Sequence, residues 1–241
     1  MRLPLVLATA ACLLAAPACD QATVDRVLQT AGDVAGSGAL SQADIGKGLK
    51  QALEQGIGKG AQALAQKGGY FDSPYKILLP PEARKVTDKL QGVPGFNNLE
   101  AIVLEKINAG AEEAAKEAKP IFVNAIRQMT FADATNILMG ADDAATGYLR
   151  GKTFGQLEAK FQPIIVRSLD KFDARKVWRD AATAYNRIPL TDDVTTELDQ
   201  YVTQQALNGL FAMVAREELN IRDNVAARTT DLMRRVFARQ D

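Results

Sequence analysis

Beyond Ser41 the apolar residues return at intervals of three and four for almost the whole chain, and no stretch alternates apolar with polar in the manner of a half-buried strand. That pattern predicts an all-α fold: a single bundle-like domain of about eight helices over residues 41–241, with no sheet. The first helix opens at Ser41, an N-cap with Asp44 at N3, and carries Ile45, Leu49, Leu53, Ile57 and Leu64 along one side. Its glycines, Gly46, Gly48, Gly56, Gly58 and Gly60, each cost a helix interior up to about 1 kcal/mol against alanine, so this segment depends on docking. Gly56 and Gly60 share a side and predict a close approach of a second helix, while Lys47, Lys50, Glu54 and Lys59 argue against a membrane span. Residues 68–80, rich in Gly and Pro, read as a loop. Its aromatics Tyr70, Phe71 and Tyr75 either form a binding surface or plug the edge of the core, and the second is expected. A short helix over residues 81–91 follows.

Further along, Asn97 and Glu100 have the spacing of a capping box for a helix with Leu99, Ile102, Val103 and Ile107 buried, thinning to Ala111, Ala114, Ala115 and Ala118. Lys119 and Pro120 are expected to end or kink it. Phe122, Ile126 and Met129 mark another short helix. Thr130 with Asp133 caps the next, which presents Ile137 and Leu138 and stops at Gly140. Asp142 and Asp143 start a further turn or two containing Tyr148 and Leu149. Thr153 and Gln156 then read as a capping box opening a core helix of Phe154, Leu157, Phe161, Ile164, Ile165, Leu169 and Phe172. Asp173 caps a helix burying Val177, Trp178, Ala181, Ala182 and Tyr185. Thr191, with Asp192 and Asp193, starts the longest element, running to about Arg222 with Val194, Leu198, Tyr201, Val202, Leu210, Phe211, Val214 and Ile221 inward. A last helix near residues 226–239 offers Leu232, Val236 and Phe237. No repeat of fixed period is present.

Both cysteines fall in the first nineteen residues, where Arg2 precedes an apolar stretch over residues 3–16. A charged start, an apolar run too short for a comfortable span and small residues at its end have the form of a secretory signal, residues 1–18. Two cleavage readings meet at one bond. Ala16, Pro17 and Ala18 make an A-x-A box; with Cys19 they have the form of a bacterial lipobox, although its position three before the cysteine usually holds leucine and here holds Ala16. The lipobox gives a lone exported thiol a role, since Cys19 becomes the lipidated N-terminus. Residues 19–40 then serve as a tether before the helical domain. The expectation is an exported, periplasmic protein anchored to a bacterial membrane as a lipoprotein, with no internal disulfide.

Composition narrows the chemistry. With no histidine in 241 residues, Ser-His-Asp and Cys-His catalysis, histidine-ligated zinc or haem and histidine pH switches are all excluded. Lys+Arg and Asp+Glu number 29 each. The balance is local as well, with 12 basic and 13 acidic residues over 20–120 and 16 of each over 121–241. Nucleic acid and an electrostatically held bilayer are therefore poor partners. Candidate binding groups are polar residues that interrupt apolar faces: Gln205, Glu218 with Arg222 one turn later, and the run Asp142, Asp143, Tyr148, Arg150. Each has a structural explanation that is preferred, an i,i+4 helix pair for Glu218 and Arg222 and a helix cap for Asp142 or Asp143. The run lacks the alternating oxygen ligands of an EF-hand, no Glu-x-x-His pair exists, and no phosphate- or dinucleotide-binding glycine motif is found. No metal, cofactor or catalytic residue is predicted.

Several strings carry a resemblance. They are residues 118–134 (AKPIFVNAIRQMTFADA), 137–146 (ILMGADDAAT), 199–211 (DQYVTQQALNGLF), 217–222 (EELNIR) and 48–53 (GLKQAL). In these the chain resembles an exported bacterial family known as domain of unknown function 4197, over roughly residues 40–238. The resemblance implies an exported α-helical domain and brings no activity, cofactor or catalytic residue. The function expected is non-enzymatic: a lipid-anchored envelope protein that binds another protein or acts structurally. The alternative is a carrier of a lipid or other apolar small molecule between helices, opened by the glycine-rich first helix over Phe154, Phe161, Phe172 and Phe211. A carboxylate-dependent hydrolase using Glu218 or Asp142 and Asp143 ranks third.

Overall fold

Ser41 opens the first helix through a reciprocal cap: its hydroxyl accepts from the Asp44 amide at 3.1 Å, and the Asp44 carboxylate accepts from the Ser41 amide at 3.2 Å. Thr130 and Asp133 repeat the arrangement at 3.1 and 2.9 Å. In each box the hydroxyl first and the amide second hold the aspartate below the usual carboxylate range. The structure, a computed structural model, describes residues 40–171, 173–190, 194 and 198–239. The predicted signal, residues 19–39 of the tether with Cys19, Phe172 and residues 191–193 lie outside them.

Among the described residues the regular structure is helical throughout and contains no strand. The α-helices are α1 (Gln42–Leu64), α2 (Pro81–Leu90), α3 (Leu99–Ala115), α4 (Ala118–Gln128), α5 (Phe131–Leu138), α6 (Ala144–Lys171), α7 (Ala174–Asn186), α8 (Asp199–Asp223) and α9 (Asp231–Phe237). A 3-10 turn, Val225–Ala227, precedes the last. Helix α6 packs against both α3 and α8, while α1 lies along α8 with α4, α5 and α9 beside it. Phe122, Phe161, Trp178 and Phe211 fill the middle. Phe122 meets Phe211 edge-on at 5.7 Å between centroids, and Phe154 stacks on Phe211 at 6.3 Å.

The glycines of α1 do what their spacing predicts. A Cβ on Gly60 would stand 2.9 Å from Met213 Cγ, and one on Gly56 3.4 Å from Glu217 Cβ, so both glycines bring α1 close against α8. The apolar stripe of α1 is buried along its length. The aromatic loop also plugs the core: Tyr70 is buried and its hydroxyl donates to the Ala206 carbonyl at 2.7 Å.

Four local expectations are corrected. Thr153 does not open a helix, because it sits inside α6 with its hydroxyl donating to the Leu149 carbonyl at 2.7 Å. Buried Leu149, Leu157, Phe161 and Ile165 continue one helical stripe through that point, and burial overrides the local capping signal. The result is a helix of 28 residues, longer than the 25 of α8. At α3 the N-cap is Asn98, with no side-chain cap bond, and Ile102 is 42% exposed. Pro120 does not end α3; it lies in the first turn of α4, where a missing amide hydrogen removes no intrahelical bond. Finally, Asp173 occupies the N-cap of α7 but at φ 54° and without a side-chain cap bond.

Candidate functional site

Among the described residues the buried charged side chains are Glu112, Glu218, Arg222 and Arg228. Burial of a charge is costly unless it is paired and hydrogen-bonded, so their partners decide what they can do. Glu218 lies on α8. Its Oε1 accepts from the Ala145 amide at 2.9 Å and from Arg222 Nη2 and Nε at 2.9 and 3.2 Å. Its Oε2 accepts from the Thr146 amide and hydroxyl, both at 2.8 Å. Arg222 also donates Nη2 to the Ile137 carbonyl at 2.9 Å and Nη1 to the Leu138 carbonyl at 3.3 Å.

One ion pair from α8 therefore serves two other helices. The carboxylate caps the N-terminus of α6 and the guanidinium caps the C-terminus of α5, each opposite in sign to the partial charge of the helix end it meets. The pair holds the turn between those helices from behind. Asp142 and Asp143 lie exposed on that turn, and the capping role expected of them is filled by Glu218. A carboxylate receiving five donors has no lone pair positioned for acid–base work.

Arg228 and Glu112 work similarly. Arg228 donates Nε to the Ile221 carbonyl at 3.0 Å and Nη2 to the Arg222 carbonyl at 2.6 Å, closing the end of α8. Glu112 accepts from the Tyr70 and Phe71 amides at 3.2 and 3.3 Å. Burial, and secondarily the Glu112 charge, pushes the Tyr70 phenol above its ordinary range, so Tyr70 stays a neutral donor. Asn108, fully buried, accepts from the Ile77 amide at 2.8 Å and donates to the Ile77 and Leu104 carbonyls at 2.9 and 2.8 Å. It pins the extended residues 76–80 to α3. Asn108→Ala should remove about 2–3 kcal/mol of stability in urea unfolding, because both polar groups of Ile77 lose their buried partner. A loss under about 0.5 kcal/mol would mean that water replaces the amide there. Sequence reasoning missed Asn108, Glu112 and Arg228. The first two were detectable as polar residues one turn apart beside the stripe of Ile107, Ala111 and Ala115.

The remaining predicted residues separate onto two open surfaces. Tyr148 is half-buried, with its hydroxyl 3.5 Å from Asp133 Oδ2 and Lys152 Nζ 5.7 Å from its ring centre. Burial first, then the Asp133 charge, holds its phenol above the ordinary range. Together with Asn124, Gln128 and Gln156 these side chains line a polar recess of about 250 Å3. Gln205 lines a different recess, a groove of about 450 Å3 between residues 74–81 and α8 that also shows Tyr75, Leu78, Arg84, Tyr201 and Asn208. Arg150, exposed, donates to Asn208 Oδ1 at 3.0 Å and stands 5.2 Å from the Phe211 ring, so it flanks this groove. The structure thus brings Gln205 and Arg150 near one another, places Tyr148 elsewhere, and buries Glu218 and Arg222.

Among the described residues no group of three or more Cys, Asp or Glu side chains is arranged to hold a metal ion, and no helix is long and apolar enough to cross a membrane. What the fold and these surfaces define is an all-α protein whose buried charges stitch helix ends together, with its unassigned polar groups in open recesses. The chain belongs to the family described as protein of unknown function (DUF4197), whose profile matches residues 39–238. No curated protein and no solved structure matches it.

Proposed function

We propose that this is a non-enzymatic, exported envelope protein, anchored by lipid at Cys19, that binds another protein through the groove between residues 74–81 and α8. The groove carries this reading. Leu78, 48% exposed, sits there beside Gln205, Tyr201 and Arg84, in a molecule whose buried charges are engaged in holding the fold. Apolar surface next to hydrogen-bonding groups is the usual make-up of a protein-binding face. The carrier alternative gains less support, since Phe154 and Phe211, two of the side chains expected to line its cavity, stack on one another. The apolar gap bounded by Val103, Ile107, Trp178 and Leu198 measures about 10 Å3, room for about one water. For the hydrolase, Glu218 is already saturated.

Two measurements test the proposal. Cys19→Ser should move the protein from the membrane to the soluble fraction, followed by immunoblotting; retention in the membrane contradicts the lipid anchor. A photo-crosslinking residue at position 78 should give a discrete adduct with an envelope protein in intact cells, and the same probe at Lys160, exposed on α6, should not. Equal labelling from both positions contradicts binding at the groove.

A further inference from the structure

We propose that the groove receives an extended acidic peptide segment bearing an apolar anchor, with Lys76 and Arg84 meeting its carboxylates. This inference rests on the protein-binding reading above and names the chemistry of the partner. The groove has the dimensions of an extended chain. Tyr201, Gln205, Asn208 and Ala212 follow one another along α8 at intervals of four, three and four and form a single stripe on the groove wall. Eleven residues of helix rise about 16 Å, which an extended peptide covers in about five residues.

The opposite wall is held in place before anything binds. Asn108 occupies both the amide and the carbonyl of Ile77, and the Tyr201 hydroxyl donates to the Leu78 carbonyl at 3.0 Å, tying the two walls together. At Gly209 a Cβ would stand 2.9 Å from the Tyr70 ring and 3.3 Å from Tyr75 Cβ, so the tyrosines close the floor against α8. A wall that does not need ordering on binding costs the complex less entropy.

Charge selects the occupant. Among the described residues the charged side chains lining the groove are Lys76 and Arg84, and no described carboxylate lines it. Arg150 adds a third cation at the rim through Asn208. At the Tyr201 phenol the charge of Arg84 outweighs that of Glu82. In a chain whose charges otherwise balance, this is a local positive excess that would repel a basic segment. The Lys76 ammonium lies 3.8 Å over the Phe71 ring in a cation–π contact. Leu78 offers the apolar patch for an anchoring side chain, and Gln205 can bond a peptide backbone.

The test uses full-length protein purified in detergent and three fluorescein-labelled peptides: Glu-Glu-Leu-Phe-Glu-Glu, its lysine counterpart Lys-Lys-Leu-Phe-Lys-Lys, and Glu-Glu-Gly-Gly-Glu-Glu. Fluorescence anisotropy should show the first binding, the second not, and the third at least about tenfold more weakly, with affinity for the first falling as salt is raised. The charge-reversed variant Lys76→Glu/Arg84→Glu, its helicity checked by circular dichroism, should lose the acidic peptide and gain the basic one. Because those side chains lie at the groove surface, the swap keeps the test independent of folding. Equal binding of the acidic and basic peptides, no binding of either, or an unchanged preference in the variant overturns the inference. If the acidic peptide fails while the probe at position 78 still captures a protein in cells, only the chemistry assigned here is wrong; if that probe also fails, the protein-binding reading falls with it.

Discussion

Glu218→Ala should lower the free energy of unfolding by about 3–5 kcal/mol, the range for breaking a buried pair from one side. The side chains of Glu218 and Arg222 are 4% and 5% exposed, so removing the carboxylate strands a guanidinium out of water. It also leaves the Ala145 and Thr146 amides at the start of α6 without an acceptor. Arg222→Ala should cost a similar amount, because Glu218 is then the stranded charge and the last carbonyls of α5 lose their donor. The double variant Glu218→Leu/Arg222→Met should cost clearly less than the two single losses added, since the uncompensated charge counted in each is absent. By contrast Lys116→Ala, which breaks a pair with Glu113 in which both side chains are more than half exposed, should change stability by less than about 0.5 kcal/mol. Urea unfolding followed by the fluorescence of Trp178, the one tryptophan and a buried one, reads all of these. A loss under about 1 kcal/mol for Glu218→Ala would show that the two helix ends do not depend on the pair.

This junction also marks where sequence reasoning stops. The capping boxes at Ser41 and Thr130 are legible because both halves of each lie within four residues, so local spacing contains the whole interaction. The close approach at Gly56 and Gly60 is legible for a related reason: two glycines on one helix face need a neighbour, and the identity of that neighbour is not required. The cap on α6 comes from a residue 72 positions away from Thr146. Locally, Asp142 and Asp143 occupy the place where a cap belongs, and inspection of their neighbourhood assigns them the task that Glu218 performs. The i,i+4 spacing of Glu218 and Arg222 identifies the pair and its place on an apolar face points inward, but neither names the helix ends that the pair meets. The groove is hidden in the same way. Its residues Leu78 and Tyr201 are 123 positions apart, and only the packing of α8 against the loop makes them face each other.

The glycines of α6 invite the opposite substitution from those of α1. Replacing Gly147, Gly151 and Gly155 together by alanine should raise the free energy of unfolding by about 2–3 kcal/mol, because each replacement removes close to 1 kcal/mol of helix penalty. Nothing lies within 4 Å of a Cβ at any of the three, so the added methyls meet no resistance. The gain comes mainly from restricting the unfolded chain. In α1, Gly48→Ala places a Cβ 2.6 Å from Cγ2 of buried Val236, and the crowding there should outweigh the same propensity gain for a net loss of about 1–2 kcal/mol. Alanine scanning of glycines thus separates residues kept for packing from residues that packing does not explain. The triple variant also decides the one large disagreement between local signal and fold. Were the chain broken at Thr153, as its capping spacing suggests, alanines on both sides would straighten a break that the native packing needs, and stability would fall. A rise agrees with one continuous helix from Ala144 to Lys171, with the burial of Leu149 and Leu157 dominant over the signal between them.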